Sequence, residues 1–111
     1  MRPDRDRLPD ILEAIEKIRE RLPPTAEELE ASELLQVWVV HHLQVIGEAA
    51  NNLSPGFIAE HPEIPWRRII GLRHALVHQY FGVDLDAIWS IAVDDLPPLE
   101  TAVAAILAGT G

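Results

Sequence analysis

The chain has 111 residues, 48% of them hydrophobic and 24% charged, with no cysteine, a size and balance that fit a single domain with one core across residues 1–111. Without thiols there is no disulfide frame, thiolate zinc site, iron–sulfur cluster or cysteine nucleophile, so catalysis falls to His, Arg, Tyr or carboxylates. A net charge of −9 argues against a general nucleic-acid binder, because phosphate contacts supply most non-specific affinity.

Apolar residues recur at spacings of three and four throughout, and no Val/Ile/Thr run alternates with period two, so the pattern predicts helices only. Leu8, Ile11, Leu12, Ile15, Ile18 and Leu22 form the first stripe, with acids early and Arg19 and Arg21 late, as the helix dipole prefers. Pro23-Pro24 ends it. Thr25 and Glu28 have capping-box spacing and open a short helical piece; Ser32 then caps a long helix to about Leu53. Ser54-Pro55 begins a further short turn that Pro62 closes. Pro65 starts a helix running to about His78 or Gln79, Gly82 breaks the pattern, and Asp84 caps a last helix reaching roughly Ala108. Pro97-Pro98 should kink or split that helix near Leu96, since two backbone donors are missing. Four or five helices with short connections predict an antiparallel all-α bundle.

Apolar runs stay short, four residues in Val37-Trp38-Val39-Val40 and seven in the longest, 102–108, against the roughly 20 that a membrane span needs. The opening Met-Arg-Pro-Asp-Arg-Asp-Arg has no apolar stretch behind it of the kind a secretory signal carries. A soluble, cytoplasmic protein without membrane association is the expectation.

Charge is unevenly placed. Residues 61–80 hold Arg67, Arg68 and Arg73 against Glu63 alone, together with three of the five histidines, while residues 82–111 contain five acids and no Lys or Arg. On a helical wheel Arg73 falls inside the apolar arc formed by Trp66, Ile69, Ile70, Leu72, Leu76 and Val77, with Arg67, His74 and His78 on the other side. A guanidinium in such an arc needs a specific partner or a cleft, because an unpaired buried charge costs several kcal/mol. It also has an ordinary reading, a side chain that snorkels or pairs with a carboxylate. The long central helix carries a single polar strip, His41, Gln44, Glu48 and Asn51, which either lines a seam or faces solvent. Glu48 is the best candidate partner for Arg73, with His41 a weaker neighbour. The apolar excess around this helix suggests a subunit interface. His74 and His78 have the i, i+4 spacing of paired metal ligands, but the HExxH pattern is absent and no carboxylate follows Glu63 in that helix; neither a metal nor a cofactor is expected.

The segment Ile69-Ile70-Gly71-Leu72-Arg73-His74-Ala75-Leu76-Val77-His78-Gln79-Tyr80-Phe81 resembles HepT-like toxins, a branch of the HEPN superfamily, through its Arg-x4-His-x-Tyr motif at Arg73, His78 and Tyr80. Val45-Ile46-Gly47-Glu48-Ala49-Ala50 is similar to the family's IGEA segment, Pro62-Glu63-Ile64-Pro65-Trp66 to its PEIPW segment, and Gly82-Val83-Asp84 with Trp89 to its GVD…W stretch, so the resemblance runs from about Ile11 to Leu107. It implies an all-α HEPN-type bundle of four to five helices forming a homodimer, with the motifs of two subunits facing each other across a cleft. It implies metal-independent endoribonuclease activity in the toxin of a toxin–antitoxin pair, with Arg73 and His78 catalytic and His74 and Glu48 accessory or substrate-binding. The implied partners are RNA and an MNT-type nucleotidyltransferase antitoxin that silences the toxin by transferring AMP to Tyr80. His74 stands where the wider superfamily often has Asn or Asp. RNA cleavage suits these residue types: His78 titrates near neutrality and exchanges protons, Arg73 is a permanently charged fork for phosphate, and a 2′,3′-cyclic phosphate would be the product. The competing expectation is a non-catalytic HEPN subunit that binds a nucleotide or its nucleotidyltransferase partner.

Overall fold

The computed structural model describes the backbone of residues 4–78 and 85–110, and the side chains of residues 4–73 and 85–109. Every regular segment among the described residues is helical: α1 (Asp4–Arg21), α2 (Ala26–Glu30), α3 (Glu33–Asn51), α4 (Pro55–Glu60), α5 (Trp66–His78), α6 (Leu85–Ser90) and α7 (Leu96–Ala105). Local chemistry sets the starts. Thr25 Oγ1 accepts from the Glu28 amide at 3.2 Å, the N-cap half of the expected capping box, while the Glu28 carboxylate turns back to accept from the Thr25 hydroxyl. Ser32 Oγ accepts from the Leu35 amide and Ser54 Oγ from the Phe57 amide, each at 3.2 Å, so α3 and α4 open where their caps predict.

Two helices depart from the sequence expectation. The first extends back to Asp4 and runs through Pro9, because its first turn is tied down at long range. Asp4 accepts from the Ser54 amide at 2.8 Å and from the Ser54 hydroxyl at 2.6 Å, and Arg5 donates to the carbonyls of Ile106 and Leu107. The last predicted helix is split, as Pro97-Pro98 require, and the device is a π-helical turn over Ile91–Asp95 joining α6 to α7. The Leu96 amide reaches back five residues to the Ile91 carbonyl, so the two prolines fall in the first turn of a new helical segment, where their missing donors cost least. A further π turn, Ile106–Thr110, ends with Gly109 at φ 96°, a left-handed conformation that glycine adopts without strain. The expected break at Gly82 and cap at Asp84 lie outside the described residues.

The long helix α3 is the spine. It packs against α1 on one flank and α5 on the other, while α7 closes on α1 and α2 on α6. Leu8, Ile11, Ile15 and Ile18 of α1 meet Val39, Leu43 and Ile46 of α3 in a core completed by Ile69, Leu72, Ile88, Leu99 and Val103. This is the four-long-helix bundle that the periodicity predicts, with the composite α6–α7 as its fourth member and α2 and α4 as short connectors. The N-terminal part of α3 leaves apolar surface uncovered, Leu34 being 80% and Val37 46% exposed. Among the described residues no helix is long and apolar enough to cross a membrane.

Candidate active site

The site begins with an approach of two backbones. Gly47 lies at the α3–α5 crossing, and a Cβ placed on it would stand 2.7 Å from the Arg73 amide nitrogen, 3.2 Å from the Ile69 carbonyl oxygen and 3.3 Å from the Arg73 Cα. No side chain fits there. The absence of one lets α5 lie directly on α3, and the residue it lays down at the contact is Arg73.

The next residue of α3 supplies the charge. Arg73 Nε donates to Glu48 Oε2 at 2.7 Å, which is the pairing the wheel argument demands of a guanidinium inside an apolar arc. Glu48 is held in turn: Asn52 Nδ2 donates to its backbone carbonyl at 2.8 Å and approaches Oε1 at 3.4 Å. The Arg73 side chain is 29% exposed and the Glu48 side chain 56%, so the pair sits at the mouth of the α3–α5 contact, accessible to a ligand. Trp66, Ile69 and Leu72 are buried beneath it, as the predicted arc requires. Trp66 Nε1 donates to the His61 carbonyl at 3.0 Å, fixing the start of α5. Arg68, on the exposed side of the helix, pairs with Asp95 at 2.6 Å and anchors α5 to the π turn.

His74 and His78 lie in α5, His78 as its last residue, which places them within a turn and a half of Arg73. Their side chains, and Tyr80 altogether, lie outside the described residues. Among the described residues, no group of three His, Asp or Glu side chains gathers in a way that could hold a metal ion.

The polar strip of α3 lies largely toward solvent: His41, Glu48 and Asn51 are all exposed, and from that position Glu48 makes the ion pair with Arg73. His41 does share a surface with Glu48: both line a groove of about 420 Å³ between α1 and α3. Arg7 and His42 line it too and were not singled out in the sequence, since each lies next to a helical apolar stripe with no local signal of its own. Gly47 did carry one, because glycine inside a helix costs about 1 kcal/mol relative to alanine and marks a close backbone approach.

Comparison with known proteins places the chain in a family. The sequence profile of the family described as "Ribonuclease HepT-like" matches residues 11–106, a stretch that contains the whole α3–α5 contact. A protein named "Probable ribonuclease HepT" from Thermococcus cleftensis is 40% identical over 100 residues, covering 89% of this chain and 91% of its own. A candidate RNase from Caldanaerobacter subterraneus subsp. tengcongensis is 36% identical over 108 residues, covering 96% of each chain, and another from Methanocaldococcus jannaschii is 33% identical over 72 residues, covering 65% of this chain and 66% of its own. No solved structure matches the chain. A family profile that spans most of the helical bundle, together with relatives 40% and 36% identical over at least nine-tenths of their own length, decides the assignment: the chain belongs to the ribonuclease HepT-like family of the HEPN superfamily and is an RNase of the HEPN type.

Proposed function

We propose that this protein is the toxin of a HEPN/MNT toxin–antitoxin pair, a single-domain cytoplasmic endoribonuclease that cleaves RNA without a metal ion at a composite site in a homodimer cleft. The observation that carries this reading is the Arg73–Glu48 pair, a guanidinium held at 2.7 Å by one carboxylate at the rim of the α3–α5 contact, five residues before His78 in the family's motif.

The chemistry follows from the side chains. Attack of a ribose 2′-hydroxyl on the adjacent phosphorus requires removal of the hydroxyl proton, protonation of the departing 5′-oxygen and neutralisation of charge on the phosphorane oxygens. His78 exchanges the protons, and Arg73 meets the phosphate oxygens. Glu48 acts as a positioning residue that restrains the guanidinium, and His74 is a further contact to the phosphate. The product carries a 2′,3′-cyclic phosphate. The exposed apolar residues Leu34 and Val37 of α3 favour burial against a second copy.

Control falls to Tyr80. Transfer of AMP to its hydroxyl by an MNT-type nucleotidyltransferase antitoxin adds negative charge and bulk two residues beyond His78, closing the groove to RNA by repulsion and by sterics. Incubation with the antitoxin and ATP should add one or more AMP masses to the wild type and none to Tyr80→Phe; labelling at another residue refutes the assignment.

The net charge of −9 favours a second reading, a HEPN subunit that binds its nucleotidyltransferase partner or a nucleotide without cutting RNA. A time course on structured RNA in EDTA, with end-group analysis, separates the two. The nuclease yields cyclic-phosphate ends that disappear in His78→Ala. The binding subunit yields none from unmodified wild type.

A further inference from the structure

The groove between α1 and α3 takes no part in the chemistry assigned to Arg73 and His78, yet it opens beside them, since Glu48 belongs both to its wall and to the ion pair. Its α1 side carries Arg7, Asp10, Glu13 and Lys17, and its α3 side His41 and His42. Three observations distinguish it from a solvated surface. Arg7 Nε is buried with no hydrogen-bond partner among the described residues, a cost that native structures avoid unless a ligand or ion completes the site. Aromatic rings run in a row to its α3 wall: Trp38, under Arg21 at 5.2 Å and outside the lining, is tilted 4.5 Å from the His42 ring, and His42 meets the exposed His41 edge-on at 4.8 Å. Finally, His42 Nδ1 donates to the Trp38 carbonyl at 2.8 Å, which makes Nε2 the acceptor of the neutral ring.

The geometry points to a nucleotide-binding subsite in this groove, adjacent to the scissile phosphate. The inference rests on the ribonuclease reading and extends it to substrate choice. The exposed His41 ring offers a base a stacking face, and Arg7 and Lys17 hold a flanking phosphate. The acceptors alongside them, the Glu13 carboxylate and His42 Nε2, suit a base that presents an exocyclic amino group. Cytosine, adenine and guanine have one and uracil does not.

Fluorescein-labelled octamers of 2′-O-methyl cytidine and 2′-O-methyl uridine test this with the whole chain, because the blocked 2′-oxygen prevents cleavage and the two pyrimidines differ chiefly in the amino group. By fluorescence anisotropy the cytidine octamer should bind about tenfold more tightly than the uridine octamer. Arg7→Gln and His41→Ala should each weaken the cytidine octamer about tenfold. In cleavage assays both should raise KM while kcat holds, with unchanged sedimentation. Equal binding of the two octamers, indifferent to both substitutions while wild type still cleaves RNA, overturns the subsite and leaves the ribonuclease reading standing. A wild type that cuts no RNA yet shows the cytidine preference and its loss in both variants removes the ribonuclease reading and retains the subsite. Binding lost together with a changed sedimentation coefficient makes the groove a contact between protein copies and overturns the proposal.

Discussion

The two flanks of α3 handle their neighbours in opposite ways. Toward α5, Gly47 removes the side chain and the helices touch backbone to backbone, with the ion pair Arg73–Glu48 at the rim. Toward α1, beside a shared apolar core, longer side chains such as Arg7, Lys17 and His42 line a polar groove. One helix therefore seats a backbone contact that positions the cation proposed for catalysis and, on its other flank, borders a groove with room for a ligand; the lack of a side chain at position 47 makes the first of these possible.

Removing the cation is the harshest way to break the contrast. Arg73→Ala should lower the rate of RNA cleavage on the order of 10²- to 10³-fold, measured by single-turnover kinetics, with helicity retained by circular dichroism. An unchanged rate would move the site elsewhere. Filling the tight flank comes next. Gly47→Val forces the helices apart and should cost about 1–3 kcal/mol in urea unfolding, with activity falling alongside because Arg73 shifts; full stability in this variant would show that α5 does not lie where the Gly47 contact puts it. Keeping the contact but loosening the cation sharpens the comparison further. Glu48→Gln retains the shape and loses the charge, so cleavage should fall about tenfold, with stability changed by less than about 1 kcal/mol because the pair is half exposed.

The smallest effect concerns the far end of α1. Hydrogen bonds from the Ser54 hydroxyl and amide hold the Asp4 carboxyl below its ordinary pKa. A carboxyl depressed in the folded state contributes stability that is present above its unfolded pKa, about 3.9, and is lost as pH falls through the folded value. Asp4→Asn should therefore lower the urea midpoint slightly at pH 7 and leave it unaltered once the wild-type carboxyl is protonated. Equal midpoints at pH 7 would show that the Asp4–Ser54 bonds contribute nothing.

Much of this was legible in the order of residues. The caps at Thr25, Ser32 and Ser54 act over three residues, and the stripes that fill the core repeat every three or four, so both signals lie within single helices. The pairing of Arg73 with Glu48 was also reachable, because a cation in an apolar arc has few partners and α3 offers one polar strip. The break at Pro97-Pro98 was visible, but its form as a π turn with a Leu96–Ile91 hydrogen bond was not, since both a kink and a split satisfy two missing donors. The early start of α1 escaped because its support comes from Ser54 and the C-terminal carbonyls, far away in the chain.

Sequence alone determined the helices, their boundaries to within a turn, the burial pattern and the family motif, because periodicity, capping and residue chemistry are local properties. Tertiary structure decided how far α3 stands from each neighbour, and with it the contact at Gly47, the rim position of Arg73 and Glu48, and the groove of Arg7, His41 and His42. The spacing between two helices is set by side chains from both at once, and no window along one chain segment contains that sum.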